Sequence, residues 1–128
     1  CIMKTPGWDK YVFEVLNLFP WRLGVISPWH NCNRTVDQPY VSREWIDVVG
    51  WFACPAFEHY TWGIITGLIG EMTGICHCPE EFFSIEHDYV YGHYENQHKR
   101  DCEAFFQYVV NDLTNIVTLL RERIKEAH

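Results

Sequence analysis

The sequence predicts an all-α fold, a small disulfide-containing helical domain in which two long antiparallel helices carry the functional residues. Apolar residues recur at helical spacing in several segments, and proline or glycine bounds most of these segments. The chain has 128 residues, of which 48% are hydrophobic, so it can form one domain around its own core. We therefore expect residues 1–128 to be a single domain.

The N-terminal part of the chain predicts two helices joined by a loop. Residues 6–19 place apolar side chains at helical spacing, and Pro20 ends the pattern because proline disfavours a helical conformation in the residue before it. Residues 21–41 contain two prolines and a polar run, and are predicted to be mostly loop. Residues 42–54 predict a second helix, with Ser42 as its cap. The inward residues of this helix are expected to be Trp45, Val48, Val49 and Phe52.

The C-terminal part predicts a glycine-rich loop followed by two helices. Glycines in residues 62–74 interrupt the helical pattern and predict the loop. Residues 79–94 predict a helix, because a proline and two acidic residues suit the positive end of the helix dipole. Residues 95–100 are polar and predict a turn, and residues 102–124 carry the clearest apolar stripe in the chain. The short turn would make the last two helices antiparallel neighbours.

Charge and cysteine content narrow the possible partners and compartment. The formal net charge of −7 argues against nucleic acid as a partner, because neutralising phosphates requires clustered Lys and Arg. No apolar run approaches the roughly 20 residues that span a bilayer. Six cysteines in a small domain are typical of an oxidising compartment. We therefore expect a secreted protein with up to three disulfides, whose pairing the sequence leaves open.

The stretch SIEHDYVYGHY, residues 84–94, contains the candidate catalytic residues. On the predicted helix His87 and Tyr91 are four residues apart and share a face, whereas Asp88 lies about 100° round the helix. Glu103 lies at the edge of the apolar stripe on the next helix, so antiparallel packing is expected to bring its carboxylate towards His87. Asp88 is expected to face the glycine-rich loop.

These residue types suit hydrolysis by an activated water molecule. A neutral imidazole accepts a proton from water, and a carboxylate on its other nitrogen fixes the tautomer and stabilises the imidazolium. Asp88 and backbone carbonyls of the glycine-rich loop would form an all-oxygen site that suits Ca²⁺. We take these carbonyls to be those of Thr66, Gly67 and Leu68. The cation would stabilise the developing oxyanion.

The motif HDYVYGHY, followed by KRDCEAFFQY, resembles the active-site helices of the secreted phospholipase A2 superfamily, in particular its branches with few disulfides. The family pattern is His-Asp, two residues and Tyr on one helix, then Cys or a small residue, Asp, two residues and Phe on the next. The residues that match this pattern are His87, Asp88, Tyr91, Cys102 and Phe106. The resemblance covers roughly residues 62–113.

The resemblance implies calcium-dependent hydrolysis of the sn-2 ester of glycerophospholipids at a membrane surface or micelle, releasing fatty acid and lysophospholipid. It makes His87 the general base and Asp88 a calcium ligand. Tyr91 would hydrogen-bond the carboxylate that orients His87. The family has Asp at that carboxylate position, whereas this chain has Glu103.

Two other functions fit the sequence. Cys-His-Cys at residues 76–78, together with His93, His98 and Cys102, offers the ligand types of a zinc site. Alternatively, the chain is a non-catalytic secreted module, phospholipase-like or simply helical, that binds a lipid or protein partner. In that case His87 would be a hydrogen-bonded core histidine, and the tyrosines near it would be packing residues.

Overall fold

The computed structural model describes residues 2–3, 5–27, 29–30, 39–58, 61–79, 84–86 and 95–127. These residues form five α-helices, one 3-10 turn and six short strands. The helices are α1 (Trp8–Leu16), α2 (Arg43–Val49), α3 (Trp62–Thr73), α4 (Glu95–Asn111) and α5 (Leu113–Lys125). The strands are β1 (Ile2–Met3), β2 (Val25–Ile26), β3 (Trp29–His30), β4 (Tyr40–Val41), β5 (Cys76–His77) and β6 (Ser84–Glu86). The 3-10 turn is Pro20–Arg22.

The prediction of an all-α fold is wrong, because the strands pair into two small sheets. One sheet has the order β1-β6-β3, and the other has the order β4-β2-β5. In each sheet the central strand pairs antiparallel with one neighbour and parallel with the other. The fold is therefore mostly helical with added sheet. Strands of two or three residues are too short to show the alternating apolar pattern that identifies a strand from sequence.

Strand β2 separates two clusters of buried side chains. Val25 and Ile26 are both fully buried, and successive residues of a strand point to opposite faces. Val25 belongs to the main core, whereas Ile26 packs with Val12 and Leu16 of α1 in a smaller cluster. The main core also contains buried residues from α2, α3, α4 and α5. The predicted loop over residues 21–41 therefore contains the strand on which both clusters rest.

The first two helices occur where the sequence predicts them, but both are shorter. In α1, Val12 and Leu16 are buried four residues apart, in agreement with the predicted apolar face. The prediction that Ser42 caps the second helix is confirmed, because its Oγ accepts a hydrogen bond from the Trp45 backbone N–H at 3.1 Å. Helix α2 ends at Gly50, which has a left-handed conformation, so Phe52 lies beyond the helix and is half exposed.

The segment predicted to be a glycine-rich loop is instead helix α3. Its glycines allow close packing rather than breaking the helix. A Cβ atom on Gly70 would lie 3.1 Å from Val25 Cβ and 3.2 Å from Cys76 Cβ, so only glycine fits there without a shift of the neighbouring strands. The helix ends at Gly74, whose φ of 75° suits the left-handed C-terminal position.

The C-terminal apolar stripe is divided between two helices. Helix α4 begins at Glu95, so the predicted polar turn at residues 95–100 is helical. The chain leaves helical geometry at Asp112 and begins α5, which packs against α2, α3 and α4. The buried residues of α5 are Leu113, Val117 and Leu120. The helix predicted over residues 79–94 is wrong at Ser84–Glu86, which form strand β6.

The expected disulfides are not found among the cysteines that the structure describes. Cys54, Cys76, Cys78 and Cys102 do not form disulfides with one another. Burial of Cys54 in the main core raises the pKa of its thiol, which suits a structural residue. Among the described helices, none is both long enough and apolar enough to cross a membrane.

Candidate functional site

The three residues of the predicted HDxxY motif lie outside the described residues. His87, Asp88 and Tyr91 therefore stay predictions as catalytic and calcium-binding residues. The described chain reaches Glu86 in strand β6 and resumes at Glu95 in α4. Their proposed roles rested on a helix over residues 79–94, and Ser84–Glu86 of that segment form strand β6 instead.

Glu103, the predicted partner of His87, lies on α4 with an exposed side chain. The preceding residue, Cys102, lines a groove described below. Glu103 itself does not line that groove, and its position relative to His87 stays a prediction.

The residues predicted to supply calcium carbonyls lie inside α3. Thr66 and Gly67 are buried and Leu68 is half buried. Thr66 Oγ1 donates a hydrogen bond to the Trp62 carbonyl at 2.8 Å, in the pattern of a helical threonine. Carbonyls in a helix interior accept hydrogen bonds from N–H groups four residues later. Binding Ca²⁺ through Thr66, Gly67 and Leu68 would require this part of α3 to unwind.

The zinc alternative gains no support from the described residues. No group of three or more His, Cys, Asp or Glu side chains among them could hold a metal ion. Cys102 lies near Thr61 and Ile64, at the start of α3, whereas Cys76 follows the end of that helix. A helix of 12 residues separates these ends by about 18 Å. His93 lies outside the described residues.

The described residues form an apolar groove between α3 and α4. It has a volume of about 240 Å³. Its lining residues are Thr61, Ile64, Cys102, Phe105 and Phe106. Nearly all of its surface comes from apolar atoms. We call this feature the α3–α4 groove.

Two adjacent phenylalanines of α4 build one wall of the α3–α4 groove. Phe105 packs against the main core, with its ring centroid 6.5 Å from that of Phe57. Phe106 lies about 100° further round the helix and is 70% exposed. Val110, one turn later on the same face, is 78% exposed. Soluble proteins rarely expose large apolar side chains next to one another, so such a group indicates a binding surface.

Hydrogen bonds that join Glu58 to Arg100 and Asp101, which we call the polar clasp, hold the N-terminal half of α4 beside this groove. The Glu58 backbone N–H donates a hydrogen bond of 2.7 Å to Oδ1 of the buried Asp101. Arg100 donates two hydrogen bonds, of 2.8 and 2.7 Å, to the Glu58 carboxylate. These hydrogen bonds lower the pKa of Glu58. The clasp joins α4 to the segment before α3, so it sets the relative position of the two groove walls.

Sequence reasoning missed the groove because it assigned α3 to a loop and Phe106 to the buried stripe. A usable signal was present in the pairs Phe105–Phe106 and Val109–Val110. Adjacent residues of a helix point about 100° apart, so both members of each pair rarely face one core. Two such pairs, one turn apart, predict a helix that is apolar on more than one face.

Comparison of the chain with family models, curated proteins and solved structures finds no match in any of the three. The phospholipase A2 resemblance is thus neither supported nor refuted by related proteins. It rests on the short motifs around His87 and Glu103.

Proposed function

We propose that this protein binds the hydrocarbon chain of a lipid in the α3–α4 groove. The observation that carries the proposal is the exposed, almost wholly apolar lining of the groove. Covering apolar surface is favourable by about 25 cal/mol per Å². Phe106 is 70% exposed, so a bound hydrocarbon chain can cover much of its surface.

The chemistry of the lining favours a hydrocarbon over a peptide or a sugar. A peptide bound in extended form would bury amide groups against Ile64, Phe105 and Phe106, which offer no side-chain hydrogen bonds. Each unsatisfied polar group costs about 1–3 kcal/mol. A hydrocarbon has no such groups. At about 30 Å³ for a group the size of a water molecule, the groove holds about eight methylene-sized groups.

Charge favours a lipid without net negative charge. The chain has a formal net charge of −7, and Glu103 lies beside the groove residue Cys102. An anionic head group would be repelled there, whereas a zwitterionic or uncharged one would not.

Hydrolysis of the bound lipid is a second candidate function, favoured by the position of Glu103 next to Cys102. In this proposal His87 and Glu103 activate water, Tyr91 orients the carboxylate, and Asp88 holds Ca²⁺. The substrate is the sn-2 ester of a phospholipid in a membrane surface or micelle. The α3–α4 groove would hold the acyl chain beside the carboxylate.

Binding is tested by calorimetric titration with octanoyl lysophosphatidylcholine below its micelle concentration. We expect saturable binding of one lipid per chain. Phe106→Ser should weaken binding about tenfold, because it removes part of the apolar wall. The matched control is Val110→Ser, which changes a more exposed residue of the same helix outside the groove lining, and it should leave the affinity nearly unchanged. Equal losses in the two variants, or no saturable binding, would contradict the proposal.

Hydrolysis is tested separately by fatty-acid release from phosphatidylcholine vesicles, with Ca²⁺ and with a chelator. Release that needs Ca²⁺ and disappears in His87→Gln supports the enzyme. Saturable lipid binding without release in either condition identifies a non-catalytic lipid-binding module.

A further inference from the structure

A second site lies at the far end of α3, at Cys76 of strand β5 and at Cys78, which follows that strand. Cys76 is half buried and Cys78 is exposed, and the thiol of Cys76 lies within hydrogen-bonding distance of the Cys78 sulfur. Neither residue takes part in the α3–α4 groove. We call this pair the β5 dithiol.

Backbone pairing with β2 fixes the position of the β5 dithiol. The Val25 N–H donates to the Ile75 carbonyl at 2.8 Å, and the Ser27 N–H donates to the His77 carbonyl at 3.0 Å. The backbone on each side of Cys76 is therefore held by hydrogen bonds to β2. Its Cβ also lies against Gly70 of α3, so the Cys76 side chain has little room to turn away.

The side chain between the two cysteines points to another part of the molecule. His77 Nε2 and the Tyr11 hydroxyl form a hydrogen bond of 2.7 Å, which links β5 to α1. Successive residues of an extended segment point to opposite faces, so Cys76 and Cys78, on either side of His77, share the other face. At about 3.3 Å per residue, an extended segment places their Cα atoms about 6.6 Å apart, near the upper end of the range that a disulfide spans.

The surroundings of the β5 dithiol give its two sulfurs different roles. The hydrogen bond from Cys76 lowers the pKa of Cys78 from its ordinary 9.0 to about 6, and a weaker interaction with Ser27 lowers it further. Partial burial and the nearby Glu71 oppose this change. The same hydrogen bond raises the pKa of Cys76. The exposed Cys78 is therefore the sulfur that ionises more readily and that a partner disulfide reaches first, and the half-buried Cys76 lies behind it.

The hydroxyl of Ser27 is a further polar group at this place. Its side chain is fully buried, and its hydroxyl has no hydrogen-bond partner of ordinary length among the described residues. A buried, unsatisfied hydroxyl costs about 1–3 kcal/mol. Because Ser27 lies beside Cys78, its hydroxyl can stabilise negative charge on that sulfur.

We propose that Cys76 and Cys78 form a redox-active pair that exchanges electrons with disulfides. The Cys78 thiolate attacks one sulfur of a disulfide RS–SR, which forms a Cys78–SR mixed disulfide and releases RS⁻. The Cys76 thiol gives its proton to the released RS⁻ and attacks Cys78 Sγ. The Cys76–Cys78 bond forms, and the second RS⁻ leaves and takes a proton from water. One disulfide has been reduced to two thiols, and the protein has lost two electrons.

The experiment treats the reduced 128-residue chain with oxidised glutathione at neutral pH and maps each cysteine by mass spectrometry. The native chain should form a disulfide within the peptide that holds Cys76 and Cys78. Cys76→Ser should instead accumulate glutathione on Cys78, because the resolving thiol is gone. Cys78→Ser should leave Cys76 unmodified. Circular dichroism of each variant checks that the fold is retained.

Cys102→Ser is the matched control, because Cys102 is another exposed cysteine of the described chain. This variant should form the Cys76–Cys78 disulfide as the native chain does. Equal glutathione addition to Cys78 and Cys102 in Cys76→Ser would overturn the proposal. A native chain in which no Cys76–Cys78 disulfide forms would also overturn it. The outcome is independent of lipid binding, so failure of one proposal leaves the other standing.

Discussion

At the scale of single residues, Cys78 shows how strongly one neighbour can set the chemistry of a side chain. The largest cause of its lowered pKa is the hydrogen bond from Cys76. A thiolate is the reactive form of cysteine, so this neighbour also sets the rate of reaction at neutral pH.

Cys76→Ala should therefore raise the pKa of Cys78 from about 6 towards 9.0. At pH 7 the thiolate fraction falls at least tenfold, and alkylation by iodoacetamide should slow by about the same factor. The measurement is the pH dependence of alkylation at Cys78, resolved by peptide mapping, with Cys102 in the same sample as the reference. An unchanged midpoint would show that the Cys76 thiol is not the cause.

Glu103 supports a second prediction at this scale, which applies if the vesicle assay detects hydrolysis. Glu103→Asp restores the shorter carboxylate of the phospholipase A2 pattern, and a displacement of about 1 Å can change a rate about 10²-fold. We expect the variant to release fatty acid faster, measured as initial rate on phosphatidylcholine vesicles. Equal or slower release would mean that the surrounding structure is adapted to the longer side chain.

At the scale of elements, α5 organises the main core through one face. Leu120 is fully buried, whereas its neighbour Leu119 is 44% exposed. The two leucines differ in burial because adjacent residues of a helix point about 100° apart.

Leu120→Ala should lower the free energy of unfolding by about 2–5 kcal/mol, because it removes buried methyl groups and leaves a cavity. Leu119→Ala is the matched control on the same helix and should cost much less, since alanine is a good helix former and little buried surface is lost. Urea denaturation followed by circular dichroism measures both. Similar losses for the two variants would mean that Leu119 is also covered, by a partner or a second chain.

The elements that sequence patterns predicted well are those whose signal is local. Ser42 was recognised as a cap, and Val12 and Leu16 as the buried face of a helix, because the spacing alone indicates both. Helix α3 was missed because three glycines in its interior normally disfavour a helix, and only the packed neighbours Val25 and Cys76 show why glycine is needed at Gly70.

At the scale of the whole molecule, two buried clusters lie on opposite faces of β2. The smaller one, around Val12, Leu16 and Ile26, holds α1, and the larger one holds the other four helices. The sequence could not predict this division, because strand pairing between distant two-residue segments leaves no periodic pattern. The groove and the β5 dithiol depend on the same distant contacts, so only their residue types were visible beforehand.

Because the two clusters differ in size, we expect α1 to unfold locally at a lower free energy than the rest of the molecule. Fewer buried side chains hold α1, so its amides should exchange with solvent at a lower free energy than those of α3 and α5. Native-state hydrogen exchange in low concentrations of denaturant measures this order. Equal free energies for α1 and α5 would show that the two clusters unfold as one unit.

The change of helix at Asp112 divides one apolar run of sequence into a part that is buried in the core and a part that is exposed. Side chains of α5, such as Leu120, fill the core, whereas Phe106 and Val110 stay on the outer face of α4. A substitution at Phe106 therefore changes the lining of the groove without leaving a cavity in the core. The shape of the groove can vary through point mutations while the packing that holds the fold stays intact.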